Sequence, residues 1–332
     1  MRLRAGRDDD AAAVIRIIGD CWAEYPGCVM DLDGEVPELR RLASYAAGRG
    51  GAFWVAETAA GEVAGLVCAW PLGDAAGSWE LAKMYVARAH RGGGAAGMLA
   101  GAAEAHARAN GAGRMALWTD TRFDRAHRFY EARSYVRSGP LRVLGDKSNS
   151  IEFAYAKPLA GVALAALDAA GAASAERMLA AVLIACVEGG ASVSFMLPLP
   201  AERARAFWRD AARGVARGER ALFAAWLDGA IVGTVQLLFI AKENQPHRAE
   251  LEKMLVHPAA RRHGIGRQLL QMAEDAALAA GRTVLTLDTG PQGGAGERLY
   301  RAAGWQAAGT IPRSSLNPDG SWCDSTFFYK LL

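Results

Sequence analysis

Two stretches of this sequence set an arginine three places ahead of a glycine, with a second small residue just beyond. The first reads Arg91-Gly92-Gly93-Gly94-Ala95-Ala96; the second reads Arg261-Arg262-His263-Gly264-Ile265-Gly266 and runs on into Arg267. Each follows a strand-like run and opens a helix-like one. The pattern suits an anion, a phosphate above all. The first turn of a helix leaves backbone N–H groups unpaired and carries a partial positive charge. Small residues let a pyrophosphate come close to those donors, and arginines add charge-assisted hydrogen bonds. His257 and His263 lie in the second loop, where phosphate contact or plain solvation suits them better than catalysis.

Other uses of such a loop have to be weighed. Gly92, Gly94 and Gly97 also satisfy the GxGxxG dinucleotide fingerprint. The second loop continues Gly264, Gly266, Arg267, Gln268 and breaks that fingerprint while keeping Arg-x-x-Gly-x-Gly/Ala. A Walker loop needs Gly-Lys-Ser/Thr after its glycines, which neither loop has. A tight strand-to-helix turn without a ligand is the remaining alternative, and its recurrence in the same context weighs against it.

That recurrence is part of a longer repeat. The stretch beginning at Leu81 aligns without a gap with the stretch beginning at Leu251, 170 residues on. Glu80/Glu250, Lys83/Lys253, Met84/Met254, Val86/Val256, Arg91/Arg261, Gly94/Gly264 and Leu99/Leu269 all match. The register still holds at Glu104/Glu274, Thr119/Thr289, Arg128/Arg298 and Tyr130/Tyr300. Biased composition explains matched alanines but not matched Lys, Met, Arg, Glu and Tyr.

The elements around each loop recur in the same order. A helical region comes first, at 9–47 in one copy and at 175–188 and 200–216 in the other. Paired strands follow at Phe53–Glu57 with Val63–Ala69, and at Ala221–Leu227 with Ile231–Phe239, turning at Ala60-Gly61 and Asp228-Gly229. The strand before the loop is 80–86 or 250–256. A helix of about sixteen residues follows the loop. Next come a strand at 115–119 or 283–288 and a short helix bearing Tyr130 or Tyr300. Closing strands are expected at 136–143, 150–156, 306–311 and 325–330. The Ala-rich, weakly patterned stretch from Pro158 to Ala175 is read as the junction.

Composition limits the function. The chain has 332 residues, room for two ordinary domains, and is 52% hydrophobic and 22% charged, as soluble globular proteins are. A net charge of +3 argues against a nucleic-acid partner, which needs a dense Lys/Arg surface. The five cysteines are scattered without a CxxC pair, and the histidines lack metal-ligand spacing, so no metal is expected. The start, MRLRAGRDDD, has no apolar signal stretch. The apolar run Met178 to Val187 is too short to span a bilayer. A cytoplasmic protein without membrane contact is expected.

The strand, the Arg-x-x-Gly-x-Gly/Ala loop and its helix resemble motif A of the Gcn5-related N-acetyltransferase (GNAT) superfamily. The later strand with RAHRFYEARSY or GERLYRAAGW resembles its motif B. HRAELEKMLVHPAARRHGIGRQLL with LTLDT downstream is similar to the tabtoxin-resistance-like branch of small-molecule acetyltransferases. The resemblance implies an α/β (α+β) fold of two tandem GNAT-like domains, residues 1–158 and 159–332. Each would be a mixed, mainly antiparallel central sheet flanked by helices. It implies acetyl-CoA as acyl donor and an acyl-CoA-dependent N-acetyltransferase.

Carried over residue by residue, the resemblance assigns backbone groups of Met84, Tyr85 and Val86, and of Met254, Leu255 and Val256, to the pantetheine arm. One of those N–H groups would polarise the thioester carbonyl. It assigns Arg91–Ala96 and Arg261–Arg267 to the pyrophosphate. Tyr130 and Tyr300 would protonate the leaving thiolate; an aromatic on an amphipathic helix also serves as plain core. The base falls to carboxylates. Glu250 and Glu252 share a strand face, by alternation, with Met254, and Asp288 ends the next strand. These acids serve equally to attract a cation. The first copy keeps Glu80 but has Ala82 and Trp118 at the Glu252 and Asp288 positions, with Asp120 as its nearest acid. Catalysis is therefore better supported in the second domain.

The expected acceptor is the primary amine of a small molecule. A peptide or protein amine, an acetyl-CoA sensor without turnover, and a nucleotide-dependent enzyme remain alternatives. The two domains are expected either to pack as an intramolecular pseudo-dimer or to pair between chains as a homodimer.

Overall fold

The computed structural model describes residues 1–290 and 293–332. Its contacts divide the chain into two units, Met1–Tyr130 with Arg137–Ala160, and Glu131–Val136 with Gly161–Leu332.

The first sheet and its helices run β1 (Arg2–Ala5), α1 (Ala11–Ala23), α2 (Leu42–Gly48), β2 (Ala52–Glu57), β3 (Val63–Pro71), β4 (Ser78–Val86), α3 (Ala95–Ala109), β5 (Arg114–Asp120), α4 (Asp124–Glu131), β6 (Val136–Arg137), β7 (Arg142–Val143) and β8 (Ile151–Pro158). That sheet has the order β1-β2-β3-β4-β5-β8-β6, with β7 also on β8. The second unit runs β9 (Val162–Leu167), α5 (Ala169–Ser174), α6 (Glu176–Glu188), α7 (Ala201–Ala216), β10 (Arg220–Leu227), β11 (Ala230–Phe239), β12 (Arg248–Val256), α8 (Ile265–Ala279), β13 (Val284–Thr289), α9 (Ala295–Ala302), β14 (Gln306–Leu316) and β15 (Trp322–Leu331). Its sheet has the order β14-β15-β13-β12-β11-β10-β9. Both sheets are mixed and mainly antiparallel, and the parallel pairs are β4–β5 and β12–β13. The expected fold class is thus present twice.

Helix α3 buries Ala95, Leu99, Ala100, Ala103, Glu104 and Ala107, and α8 buries Ile265, Leu269, Leu270, Ala273, Glu274 and Ala277. The two sets coincide at the 170-residue offset, down to a buried glutamate. This spacing puts one stripe of each helix on its sheet. In the second unit α8 covers one face, over Phe223, Ala225, Val235 and Leu237. Helices α6 and α7 cover the other, over Leu222, Ala224 and Trp226.

Several sequence expectations need correction. The closing strand expected at 136–143 is broken into β6 and β7. Gly139 turns left-handed there (φ 92°), and Pro140 has no N–H for a ladder. The stretch read as a junction holds β9, whose alanines hide a period-two pattern. Val162 and Leu164 pack on one core and Leu167 on the other. The helical region at 9–47 is two helices separated by an irregular stretch and a short turn at Pro37–Arg41. Strand β1, too polar to announce itself, is pinned by Arg4, which pairs with Asp10 and Glu57 at 2.8 Å each. Among the described residues no helix is long and apolar enough to cross a membrane.

Candidate active site

Each sheet opens beside its loop. The parallel ladder of β4 with β5 pairs Ser78, Trp79 and Glu80 with Arg114, Met115 and Ala116, and ends there. That of β12 with β13 pairs Arg248, Ala249 and Glu250 with Val284, Leu285 and Thr286, and ends there. The rest of β4 and β12 runs on beside the antiparallel partner alone. Backbone groups on the other edge, along Leu81–Val86 and 251–256, thus border a gap. Met84–Val86 and Met254–Val256 fall in these stretches.

A bulge sits inside each of them. Lys83 and Lys253, equivalent in the repeat, hold left-handed φ of 51° and 50°. The antiparallel register slips at the same place, between Leu66 and Cys68 in one sheet and between Thr234 and Gln236 in the other. A non-glycine residue in this region costs about 1–3 kcal/mol and persists only where its surroundings impose it. The bulge also overturns one expectation. Met254 packs with Leu251 on the α8 face, whereas Leu255 packs on the α6 face. One extra residue reverses the alternation, so Met254 does not share the face of Glu250 and Glu252.

The loops hold their glycines for a reason. Gly94 and Gly264 have φ of 85° and 75° and open α3 and α8. The second left-handed residue is Gly92 in one loop and Arg262 in the other. The first N–H groups to enter the helical ladders at these ends are those of Met98 (to Gly94 O, 3.1 Å) and Gln268 (to Gly264 O, 3.2 Å). The amides of 95–97 and 265–267 precede them, at the positive end of the helix dipole. Arg261, Arg262, His263 and Arg267 are exposed around the second loop. Both histidines also serve the loop itself. His257 Nδ1 accepts from the Ala259 N–H, and His263 Nδ1 lies 3.1 Å from the Arg261 carbonyl oxygen.

The leading arginines are tied down in a way the sequence did not indicate. Arg91 Nε donates to Val86 O at 3.0 Å, and Arg261 Nε to Val256 O at 3.4 Å. The same carbonyls receive the thiols of Cys21 and Cys186. Arg91 additionally donates to both carboxylate oxygens of Glu24. Arg261 has no carboxylate partner among the described residues.

In the first unit two cavities meet. One, of about 440 Å³, is bordered by Val86, Arg91, Gly92 and Ala96 of the strand and loop. The other, of about 480 Å³, holds the carboxylates and tryptophans. Both are lined by Met84, Tyr85, Phe123, Ala126 and Tyr130. Tyr130 is buried, and burial together with Tyr85 pushes its phenol above the usual range, so it stays protonated. Tyr85 accepts from the Trp22 indole at 2.9 Å. Glu80, on the last parallel rung, accepts from the Trp70 indole at 2.7 Å. Burial holds Glu152 above the usual carboxylate range, against the pull of Arg142 at 2.6 Å. Asp120 is also part-buried, but the Arg122 guanidinium and N–H win and hold it low. Glu152, Trp70, Trp22 and Glu24 were missed in the sequence. They lie outside the matched stretches, and only the fold brings them in.

In the second unit Glu250 occupies the last parallel rung. Burial, then the carboxylates of Glu252 and Asp288, push its pKa up. Glu252 has Lys253 at 3.6 Å. Asp288 is exposed and lines a separate cavity of about 300 Å³ with Ser192, Ser194, Phe195, Ser315 and Ser325. Tyr300 is buried against Trp305 and Phe328, and burial followed by Asp288 raises its phenol. Among the described residues no cluster of His, Cys, Asp or Glu is placed to hold a metal ion.

An α/β sheet opened beside a bulge, with a left-handed glycine starting the next helix, is present twice. Residues 14–135 and 192–305 match the acetyltransferase (GNAT) family, and because these segments exceed half of the chain, it belongs to that family. One relative is an uncharacterized N-acetyltransferase in the hisH-hisA intergenic region of Azospirillum brasilense, 36% identical over 31% of this chain and 60% of its own length. Another is an IAA acetyltransferase of the same organism, 39% identical over 24% of this chain and 51% of its own. The chain therefore spans about half to three-fifths of the curated relatives it matches. A solved N-acetyltransferase from Staphylococcus aureus Mu50 is similar at 19% identity and a TM-score of 0.44, over 52% of this chain and 99% of that one.

Proposed function

We propose that the chain transfers an acetyl group from acetyl-CoA to the primary amine of a small molecule, by direct attack, with each unit carrying its own site. The observation that carries this reading is the meeting of the two first-unit cavities at Met84, Tyr85 and Tyr130. A donor held along one side and an amine held on the other would face each other there. Both cavities are of small-molecule size.

When bound, acetyl-CoA supplies the thioester that the amine attacks. The chain's residues do the rest. The amides at the starts of α3 and α8 hold the pyrophosphate, and the exposed Arg261, Arg262 and Arg267 add to that hold in the second unit. Backbone groups at Met84–Val86 and Met254–Val256 align the arm. Tyr130 and Tyr300, kept protonated by burial, donate to the departing sulfur. Glu250, with its raised pKa, takes the amine proton in the second unit. Glu80 and Glu152 are the corresponding acids in the first, so the absence of acids at positions 82 and 118 does not leave that unit without a base.

The test is release of CoA thiol with a panel of small amines and peptides. Small amines should give turnover and peptides should not. Tyr130→Phe and Tyr300→Phe should each lower kcat on part of the panel while leaving acetyl-CoA affinity unchanged. Thiol release confined to peptides would refute the small-molecule reading. Wild-type kcat in both variants would remove the two acids.

A further inference from the structure

Beyond their parallel ladders the two sheets can be compared residue for residue. Trp118 and Asp288 are equivalent in the repeat. Thr119 pairs with Phe153 and Thr289 with Thr326, so the residues one place earlier on the closing strands, Glu152 and Ser325, correspond. Across the next ladder Glu152 faces Arg142, its ion-pair partner at 2.6 Å, and Ser325 faces Ile311. The second unit therefore has a hydroxyl where the first has a charged pair, and a carboxylate where the first has an indole.

Asp288 and Ser325 lie on the sheet face opposite α8, because Leu285, Leu287 and Phe328 on the same strands point the other way and pack with α8. Glu250 shares their face, between Ala249 and Leu251 of the α8 side. Over Asp288 and Ser325 the second-unit cavity of about 300 Å³ is lined by Ser192, Ser194, Ser315 and Phe195. That volume suits a small ligand. Ser325 is only 3% exposed, yet its hydroxyl has no hydrogen-bond partner among the described residues. Ser192 donates its hydroxyl proton to the Leu316 carbonyl at 2.9 Å, which leaves its lone pairs to a ligand. Asp288 makes no ion pair, and no cation lines the cavity, among the described residues. Arg203, itself exposed, lies over the Phe195 ring, 5.8 Å from its centroid.

An anion would meet Asp288 with no counter-charge on this lining. A purely alkyl group would leave the Ser325 hydroxyl buried and unpaired. The lining is matched by a cation for Asp288 together with groups that both donate and accept, as hydroxyls do. Asp288 also ties the cavity to the proposed acid and base. Burial and then Asp288 raise the Tyr300 phenol, and burial, then Glu252 and Asp288, raise Glu250.

We propose that the acceptor of the second unit is a small amino alcohol, with its ammonium at Asp288 and a hydroxyl on Ser325. This rests on the acetyl-transfer reading above. In the step, the ammonium gives one proton to Glu250 and its nitrogen bonds the acetyl carbon. The carbon–sulfur bond breaks, the thiolate takes the Tyr300 proton, and the second proton shed by the nitrogen restores the phenol. The hydroxyls of the acceptor are unchanged.

The experiment compares 2-amino-1,3-propanediol with 3-aminopentane, the same skeleton with methyl groups in place of hydroxyls. Thiol release and calorimetric binding are both measured on the full chain. The diol should exceed the alkyl amine in kcat/KM by about tenfold, the worth of one good hydrogen bond. Ser325→Ala should shrink that ratio at least about threefold, chiefly through KM for the diol. The substitution lies in the second unit, so the change belongs to that site. It breaks no hydrogen bond among the described residues, so its thermal midpoint should match the wild type. Equal kcat/KM for the two amines, or an unchanged ratio in Ser325→Ala, would overturn the proposal. Absence of thiol release with both amines and with the wider panel would instead sink the transfer reading. The binding arm then still decides the hydroxyl preference: tighter diol binding, weakened by Ser325→Ala, supports it, and equal affinities refute it.

Discussion

Arg91 and Glu24 are locked together, with two guanidinium nitrogens 2.7 and 2.6 Å from the two carboxylate oxygens. The Arg91 pair holds Glu24 below the usual carboxylate range, so the bridge stays ionised at neutral pH. In the second unit the repeat-equivalent Arg261 makes the same bond to its strand carbonyl but meets no carboxylate among the described residues. The two loops therefore present different net charge to an anion. On the proposed reading, Glu24 in the first competes with the pyrophosphate for Arg91. We expect Glu24→Gln to tighten acetyl-CoA at one of two sites by several-fold, as partly exposed charge pairs allow. Two-site calorimetry on the full chain would show this, and an unaltered pair of affinities would separate Arg91 from the ligand.

The second loop can be probed without touching a charge. Gly264 holds a left-handed φ of 75° at the start of α8. A β-branched residue pays about 1–2 kcal/mol there, and its branches crowd the amides of 265–267. Gly264→Val should reduce acetyl-CoA binding at the second unit's site by at least about tenfold. The first unit's site should be left intact, so calorimetric stoichiometry falls towards one. Retention of two full sites would show that the ligand does not use this helix start.

The proposed base, Glu250, ties the pH dependence of turnover to that of stability through its raised pKa. As a base it must be ionised. The acidic limb of kcat/KM for the second unit should therefore lie above the ordinary value of 4.5, and Glu250→Gln should abolish both limb and turnover. The stability effect has the opposite sign. A carboxyl whose folded pKa is raised favours the fold while protonated, below its unfolded value, and that contribution is lost as pH rises through the folded pKa. At neutral pH the ionised group is a liability. Glu250→Gln should raise the thermal midpoint there and lose that advantage in acid. A lowered midpoint at neutral pH would mean that the Glu250 carboxylate supports the fold.

Much of this was legible in the residues, for identifiable reasons. A loop that needs glycine at a left-handed position shows itself in sequence, and its recurrence 170 residues on gave both units, their fold and the placing of both tyrosines. The bulges did not show. Lys83 and Lys253 are lysines where a turn would advertise glycine or asparagine, so simple alternation put Met254 on the wrong face. Strand β9 was lost because alanine carries too little hydrophobic contrast to display a period of two. The sites themselves were legible only in part. Glu24, Trp70 and Glu152 come from elements far apart in sequence, and nothing in their local spacing says that they converge.

The repeat also predicts a shared structural weak point. Glu274 is almost fully buried in α8, with Lys330 Nζ 2.6 Å from one carboxylate oxygen and the Trp305 indole nitrogen 2.7 Å from the other. Lys330 donates as well to the Ala303 carbonyl at 2.9 Å. Its counterpart Glu104, in α3, is paired with the buried Lys157 at 3.0 Å. Assembling such a pair contributes little net stability, because desolvation offsets the attraction. Removing one partner leaves a charge and an indole N–H without an acceptor. Glu274→Ala should therefore destabilise the second unit by about 3–5 kcal/mol. Glu274→Gln, which can still accept from Trp305, should cost less. Denaturant unfolding of the variants checks both. A Glu274→Ala protein as stable as the wild type would mean that Lys330 reaches water once the carboxylate is gone, and that the pair follows from the repeat without holding α8 to its sheet.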